Sequence, residues 1–200
     1  CLEDCHFKAG KDLLSIYANN HPDNSLFSNK NLRLGGSSEL YEDFNTKFGD
    51  LSAIMIENLP FWVEITTTPS KKVSLMSEWE SKLKAIVSVV KNEDVGSMTG
   101  VPSWMMVLLQ RTLADTGKET IAEIWPNLEV FFHGGISFKP YRDQYRKIIG
   151  KDINYYEIYN ASEGFFAIQD QPGSDEMLLM LDYGIFYEFI PMDAFDPDNL

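Results

Sequence analysis

Two short runs bring together residue types that could bind a flat ligand and a metal ion: His133-Gly134-Gly135-Ile136-Ser137 and Tyr159-Asn160-Ala161-Ser162-Glu163-Gly164. Glycines let a ligand approach the backbone closely. Tyr159 offers a stacking face, Ser162 a hydroxyl, and Glu163 a carboxylate of the kind that holds magnesium. Each run follows an apolar segment, and a helical pattern lies between them. Parallel strands joined by a helix point the same way, so both turns should meet at the carboxyl edge of a sheet, where α/β proteins bind ligands. A reading without a ligand also fits these residues: Gly134-Gly135 as a tight turn and Tyr159 as a core ring.

Other motifs carry less. Gly10-Lys11, Gly117-Lys118 and Gly150-Lys151 are each followed by Asp or Glu, not by the Ser or Thr of a phosphate loop, and read as helix ends. No G-x-G-x-x-G occurs. Cys1, Cys5 and His6 form an incomplete metal set with no partner cluster elsewhere. His133-Gly134-Gly135 has the order of an esterase oxyanion loop, but the nearest nucleophile elbow, Asn160 to Gly164, lacks its first glycine and puts Glu163 where a small residue belongs. Asn160-Ala161-Ser162 is formally a glycosylation sequon without other marks of secretion. Asp193, Asp196 and Asp198 are too irregularly spaced for a calcium loop.

The elements that must position the two turns are legible. A helix carrying Leu13, Leu14, Ile16 and Tyr17 should stop before Asn19-Asn20-His21-Pro22, and a short strand with Leu32 and Leu34 should feed a turn at Gly35-Gly36-Ser37-Ser38. Gly49 to Trp62 predicts a helix interrupted at Pro60. Ser77-Glu78-Trp79-Glu80 reads as a capping box opening a helix whose stripe is Met76, Trp79, Leu83, Ile86, Val87 and Val90. The next helix should run from Pro102 to just before Gly117. Then Leu128 to Phe132, a helix with Tyr141, Tyr145, Ile148 and Ile149, and Ile153 to Tyr159 form a βαβ unit. Strands at Phe165 to Ile168, Met177 to Leu181 and Ile185 to Ile190, split by short turns, imply antiparallel hairpins. The expected fold class is α/β, a mixed sheet flanked by helices. With no repeat or linker, residues 1–200 read as a single domain.

Composition narrows the function classes. The chain has 200 residues and is 44% hydrophobic, enough for a sizeable core. Its net charge of −13 argues against nucleic acid and anionic membranes as partners. The acidity is uneven, because no Lys or Arg follows Lys151. Two cysteines near the start give no disulfide framework, so a reducing, cytoplasmic setting is expected. No apolar run reaches the roughly 20 residues of a membrane helix. A first residue other than Met, inside what reads as a helix, gives the expectation that the chain is a piece of a longer one.

Taken in order, these motifs resemble the adenylate-forming superfamily of acyl-coenzyme A synthetases and luciferases. Within it the sequence is similar to the auxin-responsive Gretchen Hagen family of acyl-acid amido synthetases and its bacterial relatives. Phe132-His133-Gly134-Gly135-Ile136-Ser137 resembles the adenine turn, and Tyr159-Asn160-Ala161-Ser162-Glu163 the Tyr-Gly-x-Ser/Thr-Glu motif. Leu34-Gly35-Gly36-Ser37-Ser38, Gly49-Asp50-Leu51-Ser52-Ala53, Gly100-Val101-Pro102-Ser103-Trp104 and Leu181-Asp182-Tyr183-Gly184 extend the similarity over nearly the whole chain.

The resemblance implies an inner segment of an adenylate-forming N-terminal domain. It also implies a two-step ligation of a small carboxylic acid to an amino acid, with ATP and magnesium. Gly134, Gly135 and Ser137 would line the adenine with Asn160 and Ala161, Tyr159 would pack on it, Ser162 would face the phosphate, and Glu163 would hold the metal. Pro102, Ser103 and Trp104 would wall the acyl pocket, unless Trp104 is an ordinary core residue. Asn160 departs from the family's glycine. The family's phosphate loop is expected before Cys1, and its ribose-binding Asp and mobile lid after Leu200, so the isolated chain is expected to be inactive. The alternatives are acyl-coenzyme A ligation, decided by the lid, and a non-catalytic nucleotide-binding or interaction module.

Overall fold

The computed structural model describes residues 2–35, 40–44 and 46–196. Expectations resting on Cys1, Gly36, Ser37, Ser38 and Asp198 lie outside them. A π-helical turn, Leu2–Phe7, runs into α1 (Lys8–Asn20). There follow β1 (Lys30–Leu34), β2 (Leu40–Asp43), β3 (Thr46–Gly49), α2 (Leu51–Glu57), α3 (Phe61–Thr66), β4 (Thr67–Thr68) and α4 (Lys71–Ser74). The second half contains α5 (Trp79–Val90), β5 (Val95–Gly100), α6 (Pro102–Thr116), β6 (Val130–Gly134), α7 (Arg142–Ile149), β7 (Asn154–Ala161), β8 (Gly164–Ile168) and β9 (Leu178–Leu179).

Most boundaries follow from local chemistry. Pro102 opens α6, where a missing N–H is harmless, and Gly117 closes it in the left-handed conformation (φ 67°). Gly150 ends α7 in the same way (φ 78°). At α5 the capping residue differs from expectation. The helix begins at Trp79, which leaves Glu78 at the cap, and its carboxylate accepts the Glu80 and Ser81 amides at 2.9 and 2.7 Å. Glutamate's longer side chain reaches the free N–H groups that Ser77 was expected to satisfy. A reciprocal capping box does form at Thr120 and Glu123.

Seven strands form one sheet in the order β4-β1-β5-β6-β7-β8-β9. Pairing is parallel from β4 to β7 and antiparallel from β7 to β9, so the sheet is mixed, as expected. β2 and β3 pair separately. The strand expected over Ile185 to Ile190 is absent: Phe186, Phe189 and Ile190 stand exposed with no strand pairing. Alternation alone does not make a strand without ladder partners, and this segment forms no ladder with β9, the last strand of the sheet. The Met177 to Leu181 strand shortens to β9.

Helices cover both faces. On one, Leu32, Leu34, Met98 and Phe131 pack beneath Leu83, Ile86 and Val87 of α5, Met105, Leu108 and Leu109 of α6, and Tyr145 and Ile149 of α7. The Trp125 indole N–H donates to the Val90 carbonyl at 2.8 Å within this core. On the other, Val130, Phe132 and Tyr156 pack beneath Ala9, Leu13 and Tyr17 of α1. A central parallel strand between two helical layers must be apolar on both sides, and every residue of β6 is buried. Among the described residues no helix is long and apolar enough to cross a membrane.

Candidate functional site at the carboxyl edge of the sheet

β6 and β7 run parallel with Gly134 opposite Ile158, which brings the two expected turns to one edge. The second turn is tighter than the sequence implied. β7 continues to Ala161, which pairs with Gly164, and only Ser162 and Glu163 form the turn. A register shift falls between Tyr159 and Asn160. The extra residue of this bulge is Phe166 of β8, and at the end of β7 Asn160 and Ala161 both line a cleft that Tyr159 does not.

Both glycines have a reason in the backbone itself. A Cβ at Gly134 would stand 2.4 Å from the Ile158 carbonyl oxygen, so β7 passes too close for any side chain. Gly135 adopts φ +84°, the region that favours glycine.

The cleft, about 510 Å³, lies over the sheet face that carries α1. Asn31, Arg33, Ser97, Thr99, Phe132 and Ile158 floor it. Phe7, Leu13 and Leu14 wall one side, and Met55, Ile56, Trp62 and Val63 of α2 and α3 the other. Gly100, Trp104, Gly134, Gly135 and Asn160 to Ser162 stand at its mouth. A mostly apolar cavity with a few convergent polar groups is the form small-molecule sites take.

The polar groups of the floor are unequal. Asn31 donates to Ser97 Oγ at 2.9 Å and to Thr99 Oγ1 at 3.1 Å, a self-contained network. Arg33 has no hydrogen bond or ion pair among the described residues, and its Nε is buried without a partner. Burial alone pushes the guanidinium down to about 10, still charged at neutral pH. His6, also lining the cleft, has both ring nitrogens buried and unpartnered, and burial lowers its pKa. Neither Arg33 nor His6 was singled out as a site residue of the cleft. The one available signal was a charge at the position between Leu32 and Leu34, on the face opposite theirs.

The remaining sequence-predicted residues sit as follows. Trp104 lines the mouth, with its ring 6.1 Å from Trp79. Pro102 is buried, its carbonyl accepting the Tyr145 hydroxyl at 2.7 Å, and Ser103 is half-buried; neither lines the cleft. Ser137, Ser162 and Glu163 are exposed. Tyr159 is 55% exposed, its ring 5.0 Å from Phe166.

His133 packs against Phe138 at 4.1 Å between ring centroids, within an aromatic cluster that includes Phe131 and Tyr155. Burial, with Arg142 adding to it, drives its pKa down to about 3. The esterase reading finds no support, because His133 is a neutral core ring and Ser162 has no hydrogen bond to a histidine among the described residues. Cys5 accepts the Phe165 amide at 3.1 Å as a buried free thiol. Among the described residues no three His, Cys, Asp or Glu side chains cluster to hold a metal.

A family model described as "GH3 family N-terminal domain" matches residues 4–153. Among solved structures, the chain is similar to CmiS6, with 10% identity and a TM-score of 0.40 over 74% of this chain and 30% of that one. It is also similar to the Vibrio cholerae adenylation domain AlmE in complex with glycyl-adenosine-5'-phosphate, with 13% identity and a TM-score of 0.39 over 82% of this chain and 27% of that one. The chain thus spans less than a third of either structure's length. No curated protein matches it significantly.

Proposed function

Since the chain belongs to the GH3 family, we propose that it is the central, ligand-binding part of an ATP-dependent acyl-acid–amino acid ligase. In the first step a carboxylate oxygen of the acid attacks the α-phosphorus of ATP, and the bond to pyrophosphate breaks. In the second, the amine nitrogen attacks the acyl carbon, an amide forms, a proton leaves the nitrogen, and AMP departs. Adenylation replaces a poor leaving group by a good one.

The carrying observation is that one apolar cleft opens at the edge where the two motifs meet. The acid lies in the cleft against Phe132, Ile158 and Trp104. The nucleotide lies across the edge: the backbone of Gly134 and Gly135 with Ser137 borders the adenine, Tyr159 packs on it, and Asn160 and Ala161 separate it from the cleft. Ser162 faces the phosphates, and Glu163 supplies the one protein carboxylate for magnesium. When bound, magnesium neutralises charge developing on the phosphoryl oxygens.

The test is ATP–pyrophosphate exchange by the full-length protein against a panel of aromatic and aliphatic acids. Exchange is expected with a subset of acids, and Glu163→Ala is expected to reduce it by about 10²-fold or more, the loss typical of removing a group that stabilises transition-state charge. No exchange with any acid, from folded protein that binds ATP, would leave a non-catalytic nucleotide-binding module. The structural demands on Gly134 and Gly135 would preserve the glycine turn in such a module as well. Amide against thioester formation, with amino acids or coenzyme A added, decides the second step.

A further inference from the structure

Arg33 has no part in the ligation just described, yet it is a cationic group on the floor of the cleft, and among the described residues it forms no ion pair. We propose that Arg33 receives a second carboxylate of the acid bound in the cleft, so that the preferred acids are dicarboxylic. The inference rests on the ligase reading only for what happens to the acid afterwards.

Position comes first. Arg33 pairs across the sheet with Thr99, Thr99 with Phe132, and Phe132 with Tyr156. Three strand spacings separate β1 from β7, about 14 Å. Asn160 lies four residues beyond Tyr156 toward the mouth, about 13 Å further along the strand. Arg33 and Asn160 are therefore well separated within one cleft. A carboxylate held by Arg33 is too remote to be the one that is adenylated. Much of the cleft lining is apolar, with Leu14, Met55, Ile56 and Phe132, and suits a hydrocarbon or aromatic spacer.

Chemistry supplies the second half. Nε of Arg33 is buried without a partner. Asn31, Ser97 and Thr99 are engaged with one another. Glu64 and Lys71 border a small void beside Arg33, but neither forms an ion pair with it, and Lys71 pairs instead with Glu57 at 3.2 Å. A half-buried guanidinium without a partner is costly, and a planar carboxylate is its best-matched partner because two N–H groups can donate in parallel.

The test titrates the full-length protein, without ATP, with octanoate and octanedioate, following the fluorescence of Trp62 and Trp104 at the cleft or the heat of binding. Pyrophosphate exchange with the same two acids follows. The wild type is expected to bind octanedioate about tenfold more tightly or better, as a charge-assisted pair allows. Arg33→Met should bring the two affinities within about twofold, and Arg33→Lys, which keeps the charge and loses the fork, should fall between. Equal affinities in the wild type, or a preference that survives Arg33→Met, overturn the proposal. Preference without exchange upholds the Arg33 assignment while the ligase reading fails. Exchange supported by octanoate as well as by octanedioate, and unchanged in Arg33→Met, upholds the ligase and overturns the assignment. An amino-acid KM that rises in Arg33→Met with acid preference unmoved gives Arg33 to the amine's own carboxylate and also overturns it.

Discussion

Gly134→Ala is expected to destabilise the protein by about 3 kcal/mol or more, at the upper end of overpacking costs. The added Cβ would stand 2.4 Å from the Ile158 carbonyl oxygen and 3.0 Å from Ile158 Cγ1. Neither neighbour yields readily, since Ile158 is tied into the ladder on both sides, to Gly134 of β6 and to Ile168 of β8. Relief requires β7 to move away from β6, and that movement carries Asn160, Ala161 and Ser162 out of the mouth of the cleft. Gly135→Ala is the contrasting case. Its Cβ would meet Val101 Cγ2 at an ordinary 3.4 Å, leaving only the strain of φ +84°, about 1 to 2 kcal/mol. Urea denaturation of both variants measures the difference. Equal losses would mean that the close approach of β7 to Gly134 is relaxed without effort, and the positional argument for the edge would fall with it.

His133→Phe is expected to protect the protein against acid. The buried imidazole has its pKa pushed down to about 3, while an unfolded chain carries it near 6.5. Between those values the unfolded state binds a proton that the native state refuses. Stability therefore falls with decreasing pH across that window, by up to about 1.4 kcal/mol per unit, and is unaffected above it. Phenylalanine at this position keeps the stack on Phe138 and removes the titration. The two proteins should have similar stabilities at pH 8, and the variant should be more stable by about 2 kcal/mol or more at pH 4.5. His6, whose pKa burial also lowers, leaves a residual slope of the same sign in both. Carboxylates held low by partners, such as Glu57 beside Lys47, weaken both alike in acid. Denaturant titrations at pH 8, 6 and 4.5 read the result directly; parallel curves would show that His133 is protonated in the folded protein near its ordinary pKa.

Much of what positions the candidate site is written in short stretches of the chain. Pro102 and Gly117 bound α6, Gly150 ends α7, and the apolar run before Gly134 makes a strand that can only be central. These signals act among neighbours a few residues apart, through missing N–H groups, left-handed backbone and side-chain periodicity, so they survive without tertiary context. The βαβ order then brings Gly134 and Asn160 to one edge by handedness and connectivity.

Three things were decided only when distant segments met. Ile185 to Ile190 has the alternation of a strand but pairs with no described strand. Beside the register shift of β7 and β8, the consecutive residues Asn160 and Ala161 both line the cleft, which a regular period cannot foretell. Above all, the cleft is walled by α1, α2 and α3 and floored by β1, β5, β6 and β7, which come from separate parts of the chain. Its most distinctive group, the Arg33 guanidinium, without an ion-pair partner among the described residues, is an ordinary arginine in sequence. Residue order determined the edge where the two motifs lie, because strand direction and turn chemistry are local. Packing alone decided what faces that edge, because burial and the absence of a partner are properties of everything that surrounds a side chain.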